Sequence, residues 1–237
     1  MKEKISIIGK GNVGTHLYEA LKPAADVCLT DSRTLTGLPP ESSICLICVS
    51  DSAIPEVASR LKGMAEIIAH TSGSIPMDVL AASGENYGVF YPLQTFTKGV
   101  SLNYSDIPFF IEGNNAQTTE RLSRLAALIS GKVIEADSEK RRQLHLASVF
   151  ACNFANHLVK IADDILKPSG MDYTLLLPLL RQTVGKLNEV SPSQAQTGPA
   201  ARKDYPVIEK HLSLLENNKT YQEIYRLMTE NIIASRQ

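Results

Sequence analysis

One stretch near the N-terminus decides the fold, residues 4–17, which reads Lys-Ile-Ser-Ile-Ile-Gly-Lys-Gly-Asn-Val-Gly-Thr-His-Leu. A short run of β-branched apolar residues, typical of a buried strand, ends at Gly9 and passes into a helical spacing of apolar residues. In a dinucleotide-binding turn, Gly9 permits the tight bend, Gly11 lets a pyrophosphate approach the backbone, and Gly14 lets the helix pack closely. The free N–H groups at the helix start, at Asn12 and Val13, suit phosphates. The stretch therefore predicts a nucleotide-binding turn.

The composition is that of an ordinary globular protein. Of the 237 residues, 43% are hydrophobic and 21% are charged, and the formal net charge is -1. This charge gives no reason to expect nucleic acid or an anionic membrane as a partner. No apolar run approaches the about 20 residues that span a bilayer. Because charged residues lead directly into the first strand, we expect no signal peptide and a cytoplasmic location.

The four cysteines are expected to be structural. Cys45 and Cys48 form a C-x-x-C within a predicted strand, where residues three apart point to opposite faces and cannot readily chelate one metal. Cys28 and Cys152 stand in apolar runs and are expected to be small core residues. The sequence therefore predicts no metal site and no redox site.

A second turn follows the predicted strand at 26–30, in the position where a dinucleotide fold meets the adenosine ribose. Asp31 stands there, about 20 residues after the first glycine. An acidic residue would bind the ribose hydroxyls, whereas an arginine such as Arg33 favours a 2′-phosphate. Ser32, Arg33 and Thr34 offer two hydroxyls and a guanidinium together, so we expect NADP, with NAD possible. The alternative is an N-cap followed by a solvated arginine.

The segment between Thr34 and Ile44 is too short for the usual crossover helix and third strand. We therefore expect a Rossmann-like, mostly parallel sheet that is shortened on its adenine side. Further strands are expected at 44–49, 66–70, 88–91, 108–112 and 132–135. Polar loops at their carboxyl ends are where open α/β sheets bind ligands, and one of these loops brings Ser50 and Asp51 to the expected cofactor site.

The pattern becomes entirely helical after Asp137. One long helix is expected to run from Ser138 to about Leu166, and three more follow. The sequence thus predicts a Rossmann-like dinucleotide-binding domain over 1–137 and an all-α substrate and dimerisation domain over 138–237. Long apolar stripes in the second domain favour a homodimer formed through it; their members include Leu175, Leu176, Leu179 and Leu180.

The long helix supplies the first candidates for proton transfer. At about 100° per residue, His145 shares one stripe with Cys152 and Asn156, and Asn153 lies on its shoulder. His145 can act as a general acid near neutral pH, with the amide of Asn153 orienting a substrate. The alternative is that these groups bond one another within a helical core or a dimer interface.

Two further candidates lie at strand ends. Ser72 follows a strand close to the expected nicotinamide, although it could instead be a capping hydroxyl in a turn. Tyr91 could donate a proton, although tyrosine is also a common strand aromatic. Arg202 could bind a substrate carboxylate with both arms of its guanidinium. Its alternative role is that of a surface arginine.

Several motifs stand in order along the chain: Gly9-x-Gly11-x-x-Gly14, Ser32-Arg33-Thr34, Val49-Ser50-Asp51, His70-Thr71-Ser72-Gly73, Pro92-Leu93-Gln94-Thr95-Phe96 and Thr197-Gly198-Pro199. Together they resemble a family of bacterial Rossmann-like proteins named as NADP oxidoreductases, with a C-terminal helical domain of unknown function. The resemblance covers almost the whole chain and implies distant kinship with pyrroline-5-carboxylate reductase and 6-phosphogluconate dehydrogenase. The chain departs from the family where Tyr91 replaces a common histidine and where the third strand is missing.

These observations predict an NADP-dependent oxidoreductase that transfers a hydride to or from a small, anionic metabolite. The alternative is a non-catalytic dinucleotide-binding sensor or interaction module on the same fold, which the shortened sheet and Tyr91 favour. A third possibility is a protein that binds S-adenosylmethionine through the same glycine turn, but the Ser-Arg-Thr segment would have no evident use there.

Overall fold

A single sheet organises the N-terminal half of the chain. The computed structural model describes residues 3–39 and 42–235, and within them seven strands pair in the order β2-β1-β3-β4-β5-β6-β7. The strands are β1 (Lys4–Ile8), β2 (Asp26–Thr30), β3 (Ser42–Ile47), β4 (Ala65–His70), β5 (Tyr87–Pro92), β6 (Phe109–Gly113) and β7 (Val133–Glu135). All neighbours are parallel except β5 and β6, which run antiparallel. The predicted Rossmann-like, mostly parallel sheet is confirmed.

The shortened edge of the sheet is confirmed as well. Strand β2 pairs only with β1 in the described part of the chain, so it forms the edge where a third strand would otherwise lie. The connection from β2 to β3 contains no helix among its described residues. The sheet therefore ends beside the turn that carries Ser32 and Arg33.

Helices cover both faces of the sheet, as parallel strands with two buried faces require. On one face, Leu17 and Leu21 of α1 (Asn12–Leu21) and Leu122 and Leu125 of α3 (Ala116–Ala127) pack against strand residues such as Ile7. On the other face, α2 (Ile54–Arg60) supplies Ile54 and Val57 to a second core. The alternation of strand side chains feeds both cores, since Ile7 enters the first and Ile8 the second.

Cysteines follow the same alternation where they lie in strands or next to them. Cys45 belongs to one core and Cys48 to the other, so they point to opposite faces as expected. The expectation that Cys152 is a core residue is wrong: it is exposed, because it lies in a π-helical segment, Val149–Phe154, none of whose residues is buried. Among the described residues, no group of three or more histidine, cysteine, aspartate or glutamate side chains could hold a metal ion.

The chain divides into two compact units, Met1–Asn153 and Phe154–Gln237. The first unit also contains α4 (Ser138–Ser148), and a π-helical segment follows at Val149–Phe154. The first unit thus includes the helix that the sequence analysis placed at the start of the second domain. The expected division of labour between 1–137 and 138–237 stays a prediction.

The second unit consists of helices. They are α5 (Ala155–Leu166), α6 (Leu177–Gly185), α7 (Pro192–Ala195), α8 (Pro199–Arg202), α9 (Tyr205–Leu214) and α10 (Lys219–Ala234). An apolar pocket of about 300 Å³ lies among α5, α8 and α10. In the described residues, no helix is long and apolar enough to cross a membrane.

Candidate active site

A cleft of about 790 Å³ lies in the first unit, at the carboxyl ends of the parallel strands. Its walls come from the loops after β1, β2, β3 and β4, from the end of β5 with the loop that follows, and from α4. Most of the residues predicted for the site line it: Gly9, Gly11, Asn12, Val13, Ser32, Arg33, Ser50, Asp51, Ser72, Tyr91 and His145.

The glycine turn forms the floor of the cleft. Gly9 has a φ of +117°, and a Cβ there would lie 2.3 Å from the Cys48 carbonyl oxygen. Gly14 lies below the cleft rather than in its lining, and a Cβ on it would lie 1.9 Å from the Gly9 carbonyl oxygen. At Gly11 the nearest atom to an added Cβ is 4.0 Å away. Gly9 and Gly14 therefore serve the fold, whereas Gly11 keeps space open above the helix start.

This open space fits a phosphate group. Gly11 is the N-cap of α1 and its cap makes no side-chain hydrogen bond, so the first N–H groups of the helix have no capping acceptor there. A helix N-terminus also carries a partial positive charge that favours anions. The residues present thus fit the diphosphate of a dinucleotide.

In the turn after β2, Arg33 lines the cleft and Asp31 does not. Asp31 Oδ1 accepts a hydrogen bond from the Arg33 backbone N–H at 2.9 Å. This bond holds the pKa of Asp31 below its usual value. Asp31 is not among the lining residues, whereas Ser32 and Arg33 are. The carboxylate therefore shapes the turn and leaves the guanidinium to meet a ligand.

Two loops are tied together across the middle of the cleft. Ser74 donates its hydroxyl to Asp51 Oδ2 at 2.5 Å, which joins the loop after β4 to the loop after β3. Ser72 Oγ accepts the backbone N–H groups of Ser74 and Ile75, each at 3.1 Å. This geometry is that of a capping hydroxyl in a turn, the alternative considered from the sequence, although Ser72 does line the cleft.

Tyr91 and His145 meet at the far end of the cleft. Because side chains alternate along β5, Phe90 enters the core and Tyr91 faces the opposite side. Its hydroxyl lies 3.1 Å from His145 Nδ1, and the two rings meet edge to face. Gly73 makes this contact possible, since a Cβ there would lie 2.6 Å from His145 Nδ1 and 2.7 Å from Tyr91 Cζ. Burial raises the pKa of Tyr91, so its hydroxyl keeps its proton.

A buried arginine positions the helix that carries His145. Arg141 is 0% exposed, forms an ion pair with Glu112 of β6, and donates to the Ile75 carbonyl at 2.6 Å. Ser138, at the start of α4, donates its backbone N–H to the same carboxylate at 3.0 Å. His145 stands one helical turn after Arg141, so these bonds fix its place beside Tyr91.

A second histidine lies buried behind the cleft. His70 Nδ1 accepts the Ser72 backbone N–H at 3.2 Å, and its Nε2 has no hydrogen-bond partner among the described residues. Burial, together with the positive charge of Arg141, lowers the pKa of His70 to about 4. His70 is therefore neutral at physiological pH and holds the turn that carries Ser72.

Besides Gly14, two candidates are not brought to the cleft lining. Asn153 is exposed in the π-helical segment and does not line the cleft. Arg202 is exposed at the end of α8 in the second unit. Their roles stay predictions.

Sequence reasoning missed several residues that line the cleft: Arg60, Gly73, Gln94 and Phe96. Gln94 and Phe96 belong to the Pro-Leu-Gln-Thr-Phe motif. This motif contributed to the family resemblance, but the sequence assigned no role to its individual residues. Arg60 carries no such signal, because an arginine at the end of a short helix is usually a surface residue.

The comparisons with known proteins agree with this architecture. Residues 107–232 match the family model described as "Domain of unknown function (DUF2520)". A protein of Bacteroides fragilis named "putative NADP oxidoreductase" is 35% identical, with 98% of each chain covered and a TM-score of 0.92. A protein of Thermotoga maritima is 22% identical, with 95% of this chain and 98% of that chain covered and a TM-score of 0.76.

More distant structures share the fold alone. A reductive aminase of Aspergillus terreus, solved with NADPH and ethyl-5-oxohexanoate, is 17% identical, with 99% of this chain and 95% of that chain covered and a TM-score of 0.69. Among curated proteins, no sequence matches significantly. The family model spans more than half of the chain, and the resemblance predicted from the sequence motifs is confirmed. The chain belongs to the DUF2520 family, in which a Rossmann-like domain precedes a C-terminal helical domain.

Proposed function

We propose that this protein is an NADP-dependent oxidoreductase that transfers a hydride to or from a small, anionic metabolite. The observation that carries the proposal is one cleft that holds both an open space over the start of α1 and a Tyr91–His145 hydrogen bond. The 35% identical Bacteroides fragilis protein is named for NADP oxidoreduction, which supports the same class here.

The cofactor would lie along the cleft from the glycine turn outward. The N–H groups at Asn12 and Val13 would hold its diphosphate, and Ser32 with Arg33 would hold the phosphorylated ribose. Bound NADPH would supply the hydride, or bound NADP⁺ would accept it, which is the chemistry that no side chain can provide.

The Tyr91–His145 pair would supply the proton that the reduced substrate needs. Reduction of a carbonyl or imine needs a proton on the substrate heteroatom, and a positioned acid typically contributes about 10²- to 10⁴-fold to the rate. Because the pKa of Tyr91 is raised by burial, Tyr91 carries the proton and can donate it, while His145 lies within hydrogen-bond reach to replace it. Gln94, whose Oε1 accepts the Thr95 backbone N–H at 2.7 Å, presents its amide to the same end of the cleft.

The anionic character of the substrate rests on Arg202. Arg202 is exposed, and its guanidinium could bind a carboxylate through two parallel hydrogen bonds.

We also infer that the protein forms a homodimer through the second unit. Few of its apolar side chains are buried, whereas Leu175, Leu179 and Leu214 are exposed, the last to 82%. Exposed apolar surface of this extent is typical of an interface. Light scattering coupled to gel filtration should give twice the chain mass, and the mass of one chain at micromolar concentration would contradict the inference.

The test of the proposed function separates binding from turnover. Calorimetry with NADPH and NADH should show saturable binding with NADPH preferred, and no binding of either at millimolar concentration would end the proposal. NADPH oxidation should then be followed with keto acids, imines and ketones. We expect turnover that His145→Ala reduces while NADPH affinity is kept.

The second candidate function is a non-catalytic dinucleotide sensor, which is favoured because no third strand lies beyond β2 in the part of the chain that the structure describes. The sensor would be supported if the protein binds NADPH but none of the compounds oxidises it, and if His145→Ala changes neither result.

A further inference from the structure

Arg60 makes an unusual contact for the last residue of a helix. Its Nη1 donates to the Ser32 carbonyl at 3.1 Å and its Nη2 donates to the Arg33 carbonyl at 2.8 Å. The guanidinium of α2 therefore spans two consecutive peptide units of the turn after β2. A guanidinium has five N–H donors in a fixed fork, so donors remain for a further acceptor.

The turn that Arg60 holds replaces a missing helix. From Asp31 to Leu38 the chain closes on itself through short-range bonds, such as Leu35 N–H to the Asp31 carbonyl at 2.9 Å. No strand lies beyond β2 in the described residues to support it. The bonds from Arg60 tie this turn to the next β/α unit, together with the packing of Leu35 and Leu38 against the core that α2 helps to form. Arg60 therefore helps to fix the backbone from which Arg33 projects.

Charge accumulates at the same end of the cleft. Arg33 and Arg60 both line it, and within the described ranges neither guanidinium forms an ion pair with a carboxylate. Glu56, one turn before Arg60, and Asp31, two residues before Arg33, supply negative charge at this end, and Lys10 lines the cleft as a third cation. Arginine forks match phosphate oxygens in geometry as well as in charge.

We propose that Arg60 is a specificity-determining residue, which forms with Arg33 a two-arginine site for the 2′-phosphate of NADP and also holds the turn that presents Arg33. This inference rests on the proposed dinucleotide-binding function. It assigns the selection of NADP over NAD to a residue of α2 that stands 27 positions after Arg33 and touches its backbone.

The test measures binding rather than turnover. Dissociation constants for NADP, NAD, adenosine 2′,5′-bisphosphate and adenosine 5′-monophosphate are determined by calorimetry for the wild type, Arg60→Gln and Arg60→Lys. The wild type should bind NADP more tightly than NAD, and adenosine 2′,5′-bisphosphate more tightly than adenosine 5′-monophosphate. Arg60→Gln should reduce that preference by roughly 10- to 100-fold, the usual value of a charge-assisted hydrogen bond. Arg60→Lys, which keeps the charge but cannot span two carbonyls, should reduce it less.

Arg124→Gln is the matched control, because Arg124 is an exposed arginine of α3 outside the cleft. It should change neither preference, and melting curves without ligand should show that all variants are folded. An unchanged preference in Arg60→Gln, or an equal loss for NADP and NAD, would overturn the inference. If the wild type binds NAD and NADP equally well, the result supports dinucleotide binding but contradicts the two-arginine site. If the wild type binds neither, both proposals fall.

Discussion

The glycine turn allows stability and binding to be separated by two neighbouring substitutions. At Gly14, an added Cβ would lie 1.9 Å from the Gly9 carbonyl oxygen, and a backbone atom cannot move aside as a side chain can. We expect Gly14→Ala to destabilise the protein by about 3 kcal/mol, the upper end for overpacked sites. For a chain of this length, that lowers Tm by about 6–12 °C.

Gly11→Ala should weaken cofactor binding while changing the stability of the protein little. An added Cβ meets nothing closer than 4.0 Å, and the backbone at Gly11 has a φ of -73°, which alanine adopts without strain. The loss of a glycine N-cap costs about 1 kcal/mol or less. The new methyl group, however, fills the space through which a diphosphate reaches the N–H groups of α1. Loss of one charge-assisted hydrogen bond corresponds to about a 10- to 100-fold weaker affinity.

The assay pairs thermal melting without ligand with calorimetric titration of NADPH. Gly84→Ala is the control, because an added Cβ there has no neighbour within 4 Å and the position lies outside the cleft. We expect Gly11→Ala to weaken NADPH binding while lowering Tm by no more than about 4 °C, and Gly14→Ala to lower Tm by about 6–12 °C. Undiminished NADPH affinity in a folded Gly11→Ala variant would refute the role of this turn in phosphate binding.

Three other predictions follow from the buried polar groups. Tyr91→Phe should lower kcat by about 10²- to 10⁴-fold with NADPH affinity unchanged, and equal kcat values in the two proteins would exclude Tyr91 as the acid. Burial lowers the pKa of His70 to about 4, whereas an unfolded histidine titrates at about 6.5, so the unfolded chain binds a proton first as pH falls. The free energy of unfolding, measured with urea, should therefore decrease by about 3 kcal/mol between pH 6.5 and pH 4. His70→Asn should lose most of this dependence, and an unchanged pH profile would contradict the assignment. Glu112→Gln should lower the free energy of unfolding by about 3–5 kcal/mol, because it leaves the guanidinium of Arg141 buried and unpaired. Arg141→Met should lower it by less, since Glu112 keeps its hydrogen bonds to Ser138. A larger loss in Arg141→Met than in Glu112→Gln would contradict this prediction.

The sequence predicted most of the fold because the decisive signals are local. A buried parallel strand is a continuous apolar run, and the glycine spacing at Gly9, Gly11 and Gly14 is set by the geometry of one turn. The missing third strand was also predictable, since 34–44 is too short to hold a helix and a strand. The antiparallel pairing of β5 with β6 has no comparable local signal.

The candidate site was predicted where residues follow strand ends and missed where it depends on three-dimensional proximity. Ser32, Ser50 and Tyr91 were found because strands of a parallel sheet end at one edge. The contact of Arg60 with the backbone at 32–33 depends on how α2 packs beside the edge of the sheet, which no spacing reveals. Asn153 was chosen by helical periodicity, but the π-helical segment at Val149–Phe154 changes that periodicity before Asn153 is reached.

The central claim is that the first N–H groups of α1 hold the diphosphate of NADP. A crystal structure of the protein with NADPH tests it most directly. The account predicts electron density for the diphosphate over Gly11, within hydrogen-bond distance of the Asn12 and Val13 N–H groups. A saturated crystal with that space empty, or filled by protein side chains with the nucleotide bound elsewhere, would contradict it.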